Sequence, residues 1–218
     1  MDERKETGKI RRRIKMKEII KKMVSAVMMV TLILAVAGCG NGSAQKEAPQ
    51  QAPAAAAPKQ GSRTLVVYFS ATGNTQKVAE TIAKETGADL FRIEPAEPYT
   101  AADLNYNDKQ SRVVKEHANP DLRPAYKGDV AGWDQYDTVF IGFPHWWRQA
   151  PHVVYTFVEK HDFTGKKVIP FATSMSTPMG DSGTNLAKAA KTGSWQAGQR
   201  FAGGVMDSEV ISWVKGLK

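Results

Sequence analysis

Three short segments of this chain have residue types suited to binding chemistry. The first is Ser70-Ala-Thr-Gly-Asn-Thr75, which lies between an apolar run and a helical pattern. Gly73 permits a tight turn there. Amides at a helix start have no intrahelical acceptor and attract anions. Ser70, Thr72 and Thr75 add hydroxyls, and Asn74 adds an amide. The loop has no lysine, so it is not the G-x-x-x-x-G-K-S/T cradle of a triphosphate. It is not the G-x-G-x-x-G turn of a dinucleotide site either. These residues suit one terminal phosphate held by neutral donors.

The second segment is Pro144-His-Trp-Trp-Arg-Gln-Ala-Pro151, at the exit of another apolar run. Two adjacent large rings at such an exit are costly to leave in water. One of Trp146 and Trp147 can pack on the core while the other faces a planar ligand; equally, both can cap the core. His145 and Arg148 can place positive charge near a ligand that becomes anionic; equally, both can be plain solvated side chains. The third segment runs from Thr173 to Gly183 and is rich in hydroxyls and glycine. Thr173, Ser174, Met175, Ser176, Thr177 and Gly180 there are candidates for bonding the polar edge of a heterocycle through backbone groups.

The elements that position these loops alternate. Thr64–Phe69 is a nearly continuous apolar run, as in a parallel strand buried on both faces. Val78, Ala79, Ile82 and Ala83 form a helical stripe that ends at Gly87. Further strands are expected at 89–94, 137–143, 167–172 and 199–202. Pro151 opens one helix, 181–191 forms another, and Asp207 or Ser208 caps the last. The long interval 95–136 is expected to hold a helix over 101–117. Five strands alternating with helices imply an α/β fold, a doubly wound parallel sheet with helices on both faces. All three candidate segments follow the carboxyl ends of strands, where such sheets bind ligands.

With these residues in view, Ser70–Thr75 resembles the phosphate loop of the flavodoxins. Tyr136–Trp147, with Ala150-Pro151 and Phe157, resembles a flavodoxin-like branch that has a proline-x-tryptophan-tryptophan loop, and Gly165–Ser174 is similar to the same branch. The resemblance spans 63–218. It implies the strand order 2-1-3-4-5 and noncovalently bound flavin mononucleotide (FMN). It also implies phosphate contacts from Ser70, Thr72, Gly73, Asn74 and Thr75. Trp146 or Trp147, with Ser174 to Thr177, would flank the flavin ring, and Pro144, His145, Thr173 and Gly180 join the cofactor-binding set. Flavodoxins that act as electron carriers are usually strongly acidic. This domain is close to neutral, which disfavours a very-low-potential carrier.

The formal charge of +8 does not mark a nucleic-acid protein. Residues 1–62 hold 12 Lys/Arg against 5 Asp/Glu, and the rest of the chain 18 against 17. The excess therefore lies outside the globular part, where a nucleic-acid groove would need it. Lys17, Lys21 and Lys22 precede an uncharged run of 16 residues, Met23 to Gly38, that ends in Val36-Ala37-Gly38-Cys39. Cys39 is the only cysteine. The pattern resembles a bacterial lipoprotein signal, with 1–38 removed and Cys39 lipidated; an uncleaved signal anchor is the alternative. Met16 is a second candidate start, and Arg11-Arg12-Arg13 fits a twin-arginine signal poorly. Residues 39–62 are rich in Ala, Pro and Gln and read as a tether. The expected location is extracytoplasmic, on a bacterial membrane.

The function expected is a membrane-tethered FMN protein acting in electron transfer or in flavin-dependent reduction of small acceptors such as quinones. A carrier and a reductase both remain open, as do the redox donor and acceptor. The alternative is a binding lipoprotein that captures a phosphorylated or aromatic ligand without redox chemistry. No G-x-S-x-G elbow supports acyl transfer, and no ligand spacing supports a metal.

Overall fold

A computed structural model describes residues 63–217. The expected signal, the tether and Cys39 lie outside the described residues. The first strand, β1 (Thr64–Tyr68), is buried along nearly its whole length. It leads through the 70–73 turn into α1 (Asn74–Thr86), which ends at Gly87 with φ 70°. Next come β2 (Asp89–Arg92), β3 (Glu94–Pro95), α2 (Arg112–Ala118) and β4 (Tyr126–Lys127). A 3₁₀ turn at Trp133–Gln135 precedes β5 (Thr138–Pro144) and α3 (His152–Lys160). The chain closes with β6 (Lys167–Thr173), α4 (Ser182–Ala190), β7 (Ser194–Trp195), β8 (Gln199–Phe201) and α5 (Asp207–Gly216).

The main sheet has the order β2-β1-β5-β6-β7, with β8 also pairing β6, and all of its pairings are parallel. This is the expected 2-1-3-4-5 order, with the fifth position split. β7 pairs Lys167–Val168, and β8 pairs Phe171–Thr173. The interruption at 196–198 carries Gly198, where a Cβ would lie 2.9 Å from the Pro170 carbonyl oxygen. The weak edge strand at 199–202 is thus real, and Ser194–Trp195 is an addition to it.

Two apolar layers hold the helices against the sheet. On one face, Val78, Ala79 and Ile82 of α1 and Val210 and Val214 of α5 pack with Val66, Phe140 and Phe171. On the other, Val153, Val154, Phe157 and Val158 of α3 and Leu186 of α4 pack with Leu65, Val67, Val139 and Ile141. The alternation of successive strand residues between the two faces fixes which helix each side chain meets. β1 and β5 are therefore buried on both sides, and their carboxyl ends are the points at which the chain can open to a ligand.

Several expected boundaries shift. The helix expected over 101–117 is confined to Arg112–Ala118, and 101–111 is a run of turns. Asn105 and Asp108 explain this locally, because their side-chain oxygens accept from the amides of Asn107 and Gln110, two residues on, at 3.1 and 2.8 Å. Asn and Asp side chains offer the backbone such alternatives to helix. The strand expected over 89–94 stops at Arg92, and Glu94–Pro95 instead pairs antiparallel with Tyr126–Lys127. Met206, not Asp207 or Ser208, is the last residue before α5.

Candidate functional site

The first loop leaves β1 with Ser70 buried. Its hydroxyl accepts from the Gly73 amide at 3.1 Å, closing a small turn. Gly73 takes φ 91°, a left-handed conformation natural to glycine, and its carbonyl accepts the first helical bond, from Lys77, at 3.0 Å. No side chain caps α1. The amides that follow Gly73 therefore present unpaired hydrogens and the positive end of the helix dipole. Thr72, Gly73 and Asn74 are exposed there. Thr75 differs: its hydroxyl is buried and shares a 2.8 Å hydrogen bond with Thr173 at the end of β6. Thr75 thus ties the first loop to the third.

The second loop makes a strained turn. Trp146 and Gln149 exchange backbone hydrogen bonds of 3.0 and 3.1 Å around Trp147 and Arg148, whose φ values are 49° and 67°. A two-residue turn with both central residues at positive φ normally selects Asn and Gly. A tryptophan there is an outlier, and such strain concentrates at functional sites. The two rings part company. Trp146 packs edge-on against Phe69 at 5.5 Å and Tyr99 at 5.3 Å. Trp147 stays 39% exposed and stacks on His117 at 4.5 Å with 6° between the planes.

His145 corrects one expectation. Its Nε2 lies 3.0 Å from the Ser182 hydroxyl, which also lies 3.1 Å from the Arg148 carbonyl. With the serine hydrogen on that carbonyl, Nε2–H donates to Ser182, and the buried Nδ1 has no hydrogen-bond partner. Burial pushes the imidazole pKa down and the Arg200 charge adds to this; the Thr177 carbonyl opposes them more weakly than burial acts. His145 is therefore a neutral brace of the turn, not a source of positive charge. Arg148 is exposed.

The third loop is held from β8. Arg200 donates to the Ser174 hydroxyl at 3.0 Å, to the Ser174 carbonyl at 2.7 Å and to the Met175 carbonyl. Ser174 in turn donates to the Thr177 carbonyl at 2.5 Å. Met175 is 94% exposed, and Ser176 and Gly180 are exposed as well. Neither Arg200 nor Ser182 stood out in the sequence. Arg200 lies in a weak strand, and only its register beside Ala172 brings it to this loop.

A cleft of about 340 Å³ opens between the first and second loops. Ala71 and Thr72 form one side and Pro144 to Trp147 another, while Leu104, Tyr106 and Val113 come from the long connection. The third-loop candidates do not line it. Among the described residues no group of three or more His, Cys, Asp or Glu is placed to hold a metal ion.

An open parallel sheet with an uncapped helix start at its carboxyl edge places the molecule in the doubly wound α/β class, whose ligands bind at that edge. The chain belongs to the flavodoxin family, whose model matches residues 63–217. A candidate flavoprotein from Bacteroides eggerthii is similar at 41% identity, over 72% of this chain and 98% of that one, with a TM-score of 0.65. Another from Bacteroides uniformis is 40% identical over 72% and 99%, with a TM-score of 0.68. A flavoprotein from Lactobacillus acidophilus, solved in complex with FMN, shares the fold at 22% identity, over 70% and 99% of the two chains, with a TM-score of 0.53. No curated protein matches the chain.

Proposed function

We propose that this protein binds FMN and acts in electron transfer or in reduction of small acceptors, tethered to a membrane through Cys39. The observation that carries the cofactor assignment is the uncapped start of α1, flanked by the Ser70, Thr72 and Asn74 side chains and free of lysine. A monoester phosphate meets both the unpaired amides and the helix dipole there. The FMN complex of the Lactobacillus acidophilus flavoprotein, which has the same fold, supports the same cofactor.

FMN supplies one- and two-electron redox chemistry when bound. The protein's own part is to hold and shield it. Asn74 and Thr75 would offer backbone amides, and Thr72 a hydroxyl, to the phosphate, while Gly73, its amide on Ser70, would shape the turn. Thr173, bonded to Thr75, fixes the phosphate loop against the third loop. Trp146 or Trp147 and the Ser174–Thr177 segment, which Arg200 holds in place, would flank the ring. His145 keeps the turn rigid without adding charge beside the ring.

Titrating the ligand-free protein with FMN and with riboflavin tests the phosphate site. Charge-assisted hydrogen bonds contribute about 1.5–3 kcal/mol each, so riboflavin binds weaker by orders of magnitude. Equal affinities would remove the assignment. For the anchor, each buried acyl CH₂ contributes about 0.8 kcal/mol. Cys39→Ala abolishes the lipid mass increment and detergent partitioning while flavin content stays the same. An unchanged mass and partition would end that part of the reading.

A further inference from the structure

The tryptophan turn is backed by a segment that has no part in the phosphate site. The connection between β3 and β4 carries α2, and consecutive residues of that helix stand behind the two indoles. Glu116 is buried and accepts from the Tyr99 hydroxyl at 2.8 Å, and the Tyr99 ring lies 5.3 Å from that of Trp146. His117 lies directly on Trp147, with 4.5 Å between the ring centroids and 6° between the planes. Its Nδ1 is also 3.3 Å from Gln149 Nε2, an amide nitrogen that can only donate, so Nδ1 accepts. His117 thus meets the turn at Trp147 and at Gln149, on either side of Arg148.

A support must itself be fixed, and α2 is. Arg112 donates to the other Glu116 oxygen at 2.7 Å and to the Glu97 carbonyl at 2.7 Å. Its guanidinium lies 4.1 Å from the centroid of the Tyr99 ring. The Val113 amide donates to the Asp103 carbonyl at 3.1 Å, and the Val113 side chain is buried. Trp147, by contrast, is an exposed ring on a residue with φ 49°, with no core around it to select a rotamer. Such a ring samples several rotamers, and ordering it on binding costs affinity. A parallel stack on His117 removes that cost before a ligand arrives. With one face on His117, the indole has its other face and its edges left for the cleft that it lines.

We infer that His117 is a positioning residue for the flavin site: stacked on Trp147, it sets the indole in advance as a wall for the flavin ring. The inference rests on the FMN reading, because it takes Trp147 as a residue that flanks that ring. His117 does not line the cleft, so it acts through Trp147 and not on the ligand. The Gln149 bond orients the imidazole, and the stack holds the indole.

The test is a double-mutant cycle on the full-length chain freed of flavin, read as FMN affinity by fluorescence titration. His117→Ala is expected to weaken FMN roughly threefold to tenfold, the range of one aromatic stack. His117 is exposed, so its replacement does not threaten the fold. His117→Phe keeps the stack without the Gln149 bond and is expected to stay within about twofold of the parent chain. In a Trp147→Ala background His117→Ala is expected to change nothing further, because the residue through which it acts is gone. An equal loss in both backgrounds would mean that His117 acts through the fold at large, and would overturn the inference. So would an unchanged affinity in His117→Ala, or a phenylalanine variant no better than the alanine one. In each of those cases FMN still binds the parent chain and the functional reading stands. Failure of the parent chain to bind FMN would bring down that reading, and the inference with it.

Discussion

Two tryptophan clusters in this domain use the same residue types to opposite ends. Around Trp133 the indole, the His161 imidazole and the Lys166 ammonium all have partners. The indole donates to Asp162, and the ring meets Phe163 edge-on at 5.0 Å and His161 at 4.5 Å. His161 bonds the Phe157 carbonyl and the Asp129 carboxylate, each at 2.9 Å. Buried Lys166 donates to the Trp133 and Tyr136 carbonyls at 3.0 and 2.5 Å. Around Trp146 and Trp147 the buried His145 Nδ1 has no hydrogen-bond partner, the Trp147 ring is exposed, and two residues hold left-handed backbone conformations. A cluster that closes on itself contributes stability. A cluster kept strained and unsatisfied keeps its bonding capacity for something that is not part of the chain.

The contrast breaks first at Trp133. Trp133→Ala is expected to cost about 3–5 kcal/mol in urea unfolding, as for a large aromatic removed from a packed site. FMN affinity of the molecules that remain folded should not move. A loss below about 1 kcal/mol would mean that the closed cluster is not structural. Trp147→Ala should do the reverse. Its effect on unfolding stays within about 1 kcal/mol, because the ring is 39% exposed and loses chiefly its stacking on His117. FMN affinity falls tenfold or more, about 1.4 kcal/mol, as read by flavin fluorescence. Unchanged affinity would take Trp147 out of the flavin site.

The histidines sharpen the comparison. His161 has Asp129 as its charged partner, whereas His145 has the Arg200 charge nearby. Burial also lowers the pKa of His152, whose Nδ1 has no partner. Both pKa values lie below the usual 6.5, so the unfolded chain takes up protons that the folded one refuses. Their contribution is complete above pH 6.5 and is lost as pH falls through the lowered values. The slope is at most about 1.4 kcal/mol per pH unit per histidine. His152→Phe should flatten the loss of stability between pH 6.5 and 5; an identical slope in the variant would contradict its neutral burial. The smallest effect is expected at Arg148. Arg148→Gly releases a left-handed residue and should stabilise the domain by roughly 0.5–1 kcal/mol in thermal unfolding. A loss instead would show that the exposed arginine side chain makes a contact of its own.

While the sheet order followed only from the resemblance to flavodoxins, the sequence by itself determined the alternation of strands and helices, the two-sided burial of β1 and β5, the helix stop at Gly87 and the position of the phosphate-type loop. These rest on short-range patterns: continuous apolar runs, a helical stripe and a glycine where the chain must turn. It also marked all three loops, because strand exits are readable wherever the runs stop. It misplaced the helix in 101–111, where Asn105 and Asp108 side chains bond amides two residues on instead. It left His145 as either a charge beside the ligand or a solvated side chain, and burial makes it neither. Only the tertiary structure separated the two tryptophans, joined Thr75 to Thr173 and brought Arg200 to the third loop. It alone brought Leu104, Tyr106 and Val113 to the edge of a cleft. Those contacts join residues tens of positions apart, and what places them is strand register and the packing of helices on two faces, neither of which is written in any local run of side chains.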